Sequence, residues 1–238
     1  MKVTYGKAIG DALKEEMRRD SKVLIYGEDI AEFGNIFGLT RGMLEEFGPK
    51  RVRNTPITET AIIGSAIGAA ETGLRPCVEL MYSDFTTVCF AEIFHCVAKW
   101  RYMHGPEYKL PLVIRNASGS SNGAGSEHSN CVESLFMHAP GLTIVTPSCA
   151  YDAKGLLKSA IRSDNPVLFC EPKLLYQSKQ EIPDEEPIMA ELRDCAAVIC
   201  ETDERMLAIR RRIEAAADAP TEEEVLFDKL ARFDMPIS

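Results

Sequence analysis

The sequence predicts an α/β fold: a mostly parallel sheet with helices on both faces, followed by a short helical C-terminal tail. Three observations predict it. Short apolar runs alternate with stretches of helical periodicity from residue 4 to residue 171, and this succession requires crossover connections and hence parallel strands. Gly, Pro, Asn and Asp punctuate the joins. Hydrophobic residues make up 45% of 238 positions, enough to bury one substantial core and to exclude a disordered chain.

Thr4 to Arg19 has the spacing of an amphipathic helix, with Ala8, Leu13 and Met17 on its apolar side. Lys22 to Tyr26 is a short buried strand ending at Gly27-Glu28-Asp29. Ala31 to Gly42 is a glycine-punctuated loop, and Leu44 to Phe47 a short helix closed by Gly48-Pro49. Arg51 to Asn54 is an extended lead into Ala61 to Glu71, a helix whose small and apolar residues predict packing on all sides. Pro76 to Met81 is a strand, Phe85 to Tyr102 a long helix, Leu112 to Arg115 a strand, and Asn116 to Asn130 a polar Gly/Ser loop of functional size. Val132 to His138 (helix), Thr143 to Thr146 (strand), Tyr151 to Ser163 (helix) and Val167 to Glu171 (strand) complete the alternation. The expected domain is 1–178, with a charged, Pro-flanked linker at 179–190 and a helical tail at 191–238.

A net charge of -9 without a basic stripe argues against nucleic acid as a partner. The apolar runs fall short of a membrane span, and the opening Met1-Lys2-Val3-Thr4-Tyr5 lacks a signal core, so the expected location is the cytoplasm, or an organelle matrix after removal of a leader. None of the eight cysteines forms a C-x-x-C pair, and most sit among apolar residues, where cysteine acts as a small hydrophobe.

Chemistry concentrates at Thr55-Pro56-Ile57-Thr58-Glu59. Glu59 is the only acid between Glu46 and Glu71, at the mouth of an apolar helix. Burial there calls either for a partner or for a raised pKa. The alternative role is that of a first-turn carboxylate favouring the positive helix end behind a Thr58 cap. In a parallel sheet, ligands sit beyond the carboxyl ends of strands. Glu28, the Glu59 region, Tyr82 to Phe85 and the loop 116–130 all follow strands or extended segments.

From Tyr5 to about Tyr176 the chain resembles the β subunits of thiamine-diphosphate-dependent 2-oxo acid dehydrogenases, the pyruvate dehydrogenase E1 class. The resemblance rests on ordered runs: Gly27-Glu28-Asp29, Thr55 to Glu59, Gly73-Leu74-Arg75-Pro76, Arg101-Tyr102-Met103, Glu127-His128-Ser129, Pro140-Gly141-Leu142, Asp152 to Leu157 and Asn165-Pro166-Val167. It implies a transketolase-type pyrimidine-binding domain. In that family the residue matching Glu59 hydrogen-bonds N1′ of the cofactor's pyrimidine and relays a proton, Phe85 matches the ring stacked on the pyrimidine, and Glu28 and Ile57 match pocket-lining positions. His128 matches a histidine facing the substrate and the arriving lipoyl group, although Ser126-Glu127 precede it where the family carries a small residue and glutamine. Leu112, Ala160, Ile161, Ser163 and Asn165 match positions where some members bind a monovalent cation such as K+ through carbonyl oxygens. The same residues also read as a helix C-terminus and turn before Asn165-Pro166.

The resemblance further implies thiamine diphosphate with Mg2+, shared with an α-type subunit that carries the missing Gly-Asp-Gly motif, in an α2β2-like assembly with a lipoyl acyltransferase as a further partner. The family's β subunits continue into a second α/β domain, whereas here an acidic helical tail is expected. The implied reaction is decarboxylation of a 2-oxo acid, or cleavage of a ketone such as acetoin, with transfer of the two-carbon unit. The alternatives are a split transketolase subunit, disfavoured by Arg101-Tyr102-Met103 and Lys173 to Tyr176, and a non-catalytic assembly or regulatory paralogue.

Overall fold

Strand β1 (Lys2–Thr4) leads straight into helix α1 (Tyr5–Arg19). Thr4 caps that helix, its hydroxyl accepting from the Lys7 amide at 3.1 Å, and Arg18 and Arg19 lie favourably in the last turn. In chain order there follow β2 (Val23–Gly27), α2 (Met43–Phe47), β3 (Val52–Asn54), α3 (Glu59–Glu71), β4 (Arg75–Leu80), α4 (Trp100–His104), β5 (Val113–Ser118), α5 (Glu133–Phe136), β6 (Thr143–Val145), α6 (Ala150–Arg162), β7 (Val167–Pro172) and β8 (Lys179–Glu181). This computed structural model describes residues 2–121 and 123–182.

Six strands form one wholly parallel sheet in the order β3-β2-β4-β5-β7-β6. Because successive strand residues face opposite ways, each continuous apolar run feeds two cores. On one face, α1 and α6 bury Ile9, Leu13, Met17, Leu157 and Ile161 against Val23, Ile25, Val113 and Phe169. On the other, α3 and the segment after β4 bury Ile62, Ile63, Ile93 and Val97 against Val78, Ile114 and Leu168. Ion pairs Arg162–Glu16 at 2.6 Å and Lys154–Glu15 at 2.6 Å tie α6 to α1.

The predicted fold class holds, with local differences, among them strand β1 ahead of the first helix, where no strand is expected. The long helix expected over Phe85 to Tyr102 is instead a 3-10 turn (Ser83–Thr87), a π-helical turn (Glu92–Val97) and α4. The hydroxyls of Thr86 and Thr87 donate to the carbonyls of Ser83 and Asp84 at 2.7 and 2.8 Å, competing for acceptors that a regular helix would give to its amides. Helix α3 begins earlier, at Glu59, and is not covered all round: Thr60, Ala61, Gly64 and Ser65 remain exposed, because small residues permit a neighbour without supplying one. Strand β5 runs on to Ser118, so the polar loop starts at Gly119. The first residues of the expected linker are the strand β8, paired antiparallel with β1, which satisfies backbone that both segments would otherwise expose. From residue 183 the expected linker, and the tail at 191–238, lie outside the described residues. Among the described residues no helix is long and apolar enough to cross a membrane.

Candidate active site

A parallel sheet brings all its carboxyl ends to one edge. Glu28 follows β2, Thr55 follows β3, the Tyr82–Phe85 turn follows β4, the His128 loop follows β5, and Lys173 follows β7. Residues separated by up to 145 positions thereby share a rim. Gly27 permits the close strand packing under this rim, since a Cβ there would lie 2.5 Å from the Glu79 carbonyl oxygen.

Two carboxyl groups define one side of the site. Glu59, the first residue of α3, is 7% exposed, and Glu28 is also 7% exposed. Burial, then the charges of Glu59 and Asp29, push the Glu28 carboxyl above its ordinary value. The Glu28 Oε1 and Thr55 Oγ1 atoms are buried with no hydrogen-bond partner among the described residues. Ile57, expected to line the pocket, is 82% exposed, because the turn into α3 points it away from this chain.

Rings form the other side. The Phe85 and His128 centroids are 5.4 Å apart, and Tyr82 lies 4.5 Å from His128 and 5.8 Å from Phe85, all near edge-to-face. The two sides connect through the Thr60 hydroxyl, which donates to the Val88 carbonyl at 3.4 Å, and through Cys89, one turn beyond Phe85. Burial, with help from the Glu92 and Glu59 carboxylates, pushes the Cys89 thiol up to about 12, which leaves it an inert apolar filler. Cys77 behaves likewise, also pushed up to about 12 by burial. Cys96 and Cys131 depart from the sequence expectation in being exposed.

The loop carrying His128 is held at its end. Ser83 donates to the Asn130 carbonyl at 2.6 Å, Asp84 accepts from the Asn130 side chain, and the Lys173 ammonium donates to the His128 carbonyl. The sequence placed the stretches Tyr82 to Phe85 and 116–130 at this edge but did not single out Ser83, Asp84, Asn130 or Lys173, because they are polar residues scattered over three segments.

It also passed over a buried ionic network beneath the rim. Arg115 donates to Glu171 at 2.7 Å and to Glu79 at 2.8 Å, Asn35 donates to Glu79 at 2.8 Å, and Tyr176 donates to Glu171 at 2.8 Å. Arg115 and Glu171 are each 1% exposed. Single charges inside the apolar strands β4, β5 and β7 were the available signal. Asn35, in the left-handed region at φ 59°, also accepts from the Phe37 and Leu39 amides, so the network fixes the loop that follows Glu28. A recess of about 550 Å3, lined by Asp29, Phe33, Asn35, Ile36, Phe37, Gly38 and Arg41, opens immediately beyond Glu28.

The five positions matched to a monovalent-cation site lie away from this rim, and each has an oxygen that accepts a hydrogen bond. The Arg75 guanidinium donates to the carbonyls of Ile161 at 2.8 Å and Ser163 at 2.5 Å and pairs with Asp164. The Leu112 carbonyl accepts from Val167 at 2.9 Å, the Ala160 carbonyl from Ser163 at 3.2 Å, and the Asn165 side chain from Arg101 at 2.6 Å.

A pair of buried acids, one of them with an unmet acceptor, on the rim that also carries aromatic rings suits a planar nitrogen heterocycle bearing N–H donors. The same acids do not suit a diphosphate, and among the described residues no group of three or more His, Cys, Asp or Glu is gathered for a metal. The family described as "Transketolase, pyrimidine binding domain" matches residues 1–179, and the chain belongs to that family. Among its relatives are a pyruvate dehydrogenase E1 component subunit beta of Rickettsia felis, 44% identical over 79% of this chain and 58% of the relative. The beta subunit of acetoin:2,6-dichlorophenolindophenol oxidoreductase of Cupriavidus necator is 44% identical over 77% of this chain and 57% of its own length. A 2-oxoisovalerate dehydrogenase subunit beta of Bacillus subtilis is 43% identical over 79% and 58%. The chain thus spans a little over half the length of these relatives. A solved structure of a split-gene transketolase in an inactive β4 tetramer aligns with TM-score 0.56 and 21% identity over 71% of this chain and 51% of that one, a likeness of fold.

Proposed function

We propose that this chain is the β-type, pyrimidine-binding half of a thiamine-diphosphate-dependent 2-oxo acid dehydrogenase of the pyruvate or acetoin class, active when an α-type chain completes the site. The observation that carries the proposal is the buried Glu59 carboxyl beside Glu28, whose Oε1 lacks a partner, on the rim where Phe85 and His128 meet.

In this reading Glu59 holds and returns a proton at the pyrimidine N1′, Phe85 supplies an apolar face for that ring, and Glu28 offers an acceptor to its amino group. Bound thiamine diphosphate supplies the electron sink for decarboxylation. Burial of Glu59 and Glu28 keeps solvent protons from competing with the relay. His128 faces the entering substrate. The diphosphate and its Mg2+ fall to the α-type partner, since the acids here repel phosphate. The exposed Ile57 and the uncovered small-residue side of α3 support a partner at this rim.

Calorimetric titration of thiamine diphosphate and Mg2+ into the chain alone and into its complex with an α-type subunit tests the shared site. Binding is expected in the complex only. Glu59→Gln is expected to lower turnover of the complex by roughly 10²–10⁴-fold, the usual scale of an acid–base contribution, while assembly persists. Unchanged turnover in that variant would remove Glu59 from the mechanism.

A further inference from the structure

The His128 turn, Ser126–His128, is a single 3-10 turn within an exposed Gly/Ser stretch, and such a turn does not hold a side chain in place by itself. Yet the His128 ring meets Tyr82 and Phe85 at defined angles of 79° and 77°. Something must fix the turn against the sheet.

Lys173 is placed to do so. It follows β7 directly, opens the 3-10 turn Lys173–Leu175, and is 5% exposed. Its ammonium donates to the His128 carbonyl and stands 4.7 Å from the Tyr82 ring centroid. One cation thus grips the backbone of His128 and the face of the ring against which His128 packs. Burial pushes the Lys173 amine below its ordinary value, and the nearby Asp84 and Cys131 oppose that shift. Asp84 also accepts from Asn130, two residues beyond His128, so an acid and a base hold the same loop end.

We infer that Lys173 is a positioning residue: its ammonium clamps the His128 turn onto Tyr82 and so sets where the imidazole stands in the site. This rests on the proposed function only for its catalytic consequence. The clamp itself is a property of the chain alone.

The test uses the full chain and three substitutions, Lys173→Met, Lys173→Arg and His128→Gln. The His128 imidazole signal, one of four in the chain, is assigned in proton–carbon NMR spectra by its loss in His128→Gln. In Lys173→Met that signal is expected to move to the position of an unpacked histidine, while those of His95, His104 and His138 stay in place. Lys173→Arg, which keeps a cation over Tyr82, is expected to restore it. In complex with an α-type subunit, Lys173→Met is expected to lower kcat roughly 10–100-fold, with KM changing far less, because misplacing a reacting group by about 1 Å costs on that scale. An unmoved His128 signal in Lys173→Met overturns the clamp, whatever the activity. A moved signal with unchanged kcat upholds the clamp and overturns the role given to His128. Should Lys173→Met fail to fold, Lys173→Gln carries the same readout.

Discussion

Replacing Arg115 by leucine isolates the energetics of the network beneath the site. The wild-type guanidinium is 1% exposed and serves two carboxylates, at 2.7 Å on Glu171 and 2.8 Å on Glu79. Leucine fills much of the volume but leaves Glu79 with only Asn35 and Glu171 with only Tyr176. Breaking a buried pair by removing one partner costs about 3–5 kcal/mol, since the remaining charge stays desolvated. In a domain of this size that corresponds to a fall in Tm of roughly 6–20 °C. The loss also depends on pH in a defined direction. Burial already raises the Glu79 carboxyl in the wild type, with Arg115 the leading opposing influence. Without Arg115 the folded-state value rises further above the unfolded one, so the stability that protonation supplies is present at low pH and disappears as the pH climbs through the folded value. The deficit of Arg115→Leu should therefore be smaller at pH 5 than at pH 8. Thermal melts of both proteins at the two pH values measure this. A loss below about 1 kcal/mol that is the same at both would show that the three charges form no coupled unit.

Beyond the Glu59 and Lys173 substitutions described above, two further outcomes follow from the structure. Glu28→Gln keeps the volume of a side chain whose carboxyl is raised by burial and by Glu59, so it should raise the Tm of the isolated chain at pH 8 and weaken pyrimidine binding in the complex. The sign follows because ionising Glu28 destabilises the fold as pH rises above the unfolded carboxylate value of about 4.3, and the gain should vanish near and below it; a gain that persisted at pH 4 would contradict this origin. Gly141→Ala should lose about 2 kcal/mol or more in chemical denaturation, because φ is +94° and a Cβ would lie 2.1 Å from the Ala98 carbonyl oxygen. A neutral result would mean that the turn before β6 can shift away from the segment at Ala98.

The alternation of apolar runs, the punctuation by Gly and Pro, and the helical spacing over Thr4 to Arg19 each report a local property, the side-chain period, and this is why the sequence by itself determined the α/β class and the strands of the six-stranded sheet, though not the β1–β8 pair. It also singled out Glu59, since a lone acid opening an apolar helix stands out along the chain. Helix continuity over Phe85 to Tyr102 was not determined in this way, because hydroxyls of Thr86 and Thr87 redirect hydrogen bonds that periodicity takes for granted. Only the tertiary structure decided that Arg115 pairs with both Glu79 and Glu171, that Glu28 meets Glu59, and that Lys173 reaches the carbonyl of His128. Each of these unites groups from different strands or turns. Parallel registry sets which strand ends become neighbours, and no pattern confined to one segment encodes that pairing.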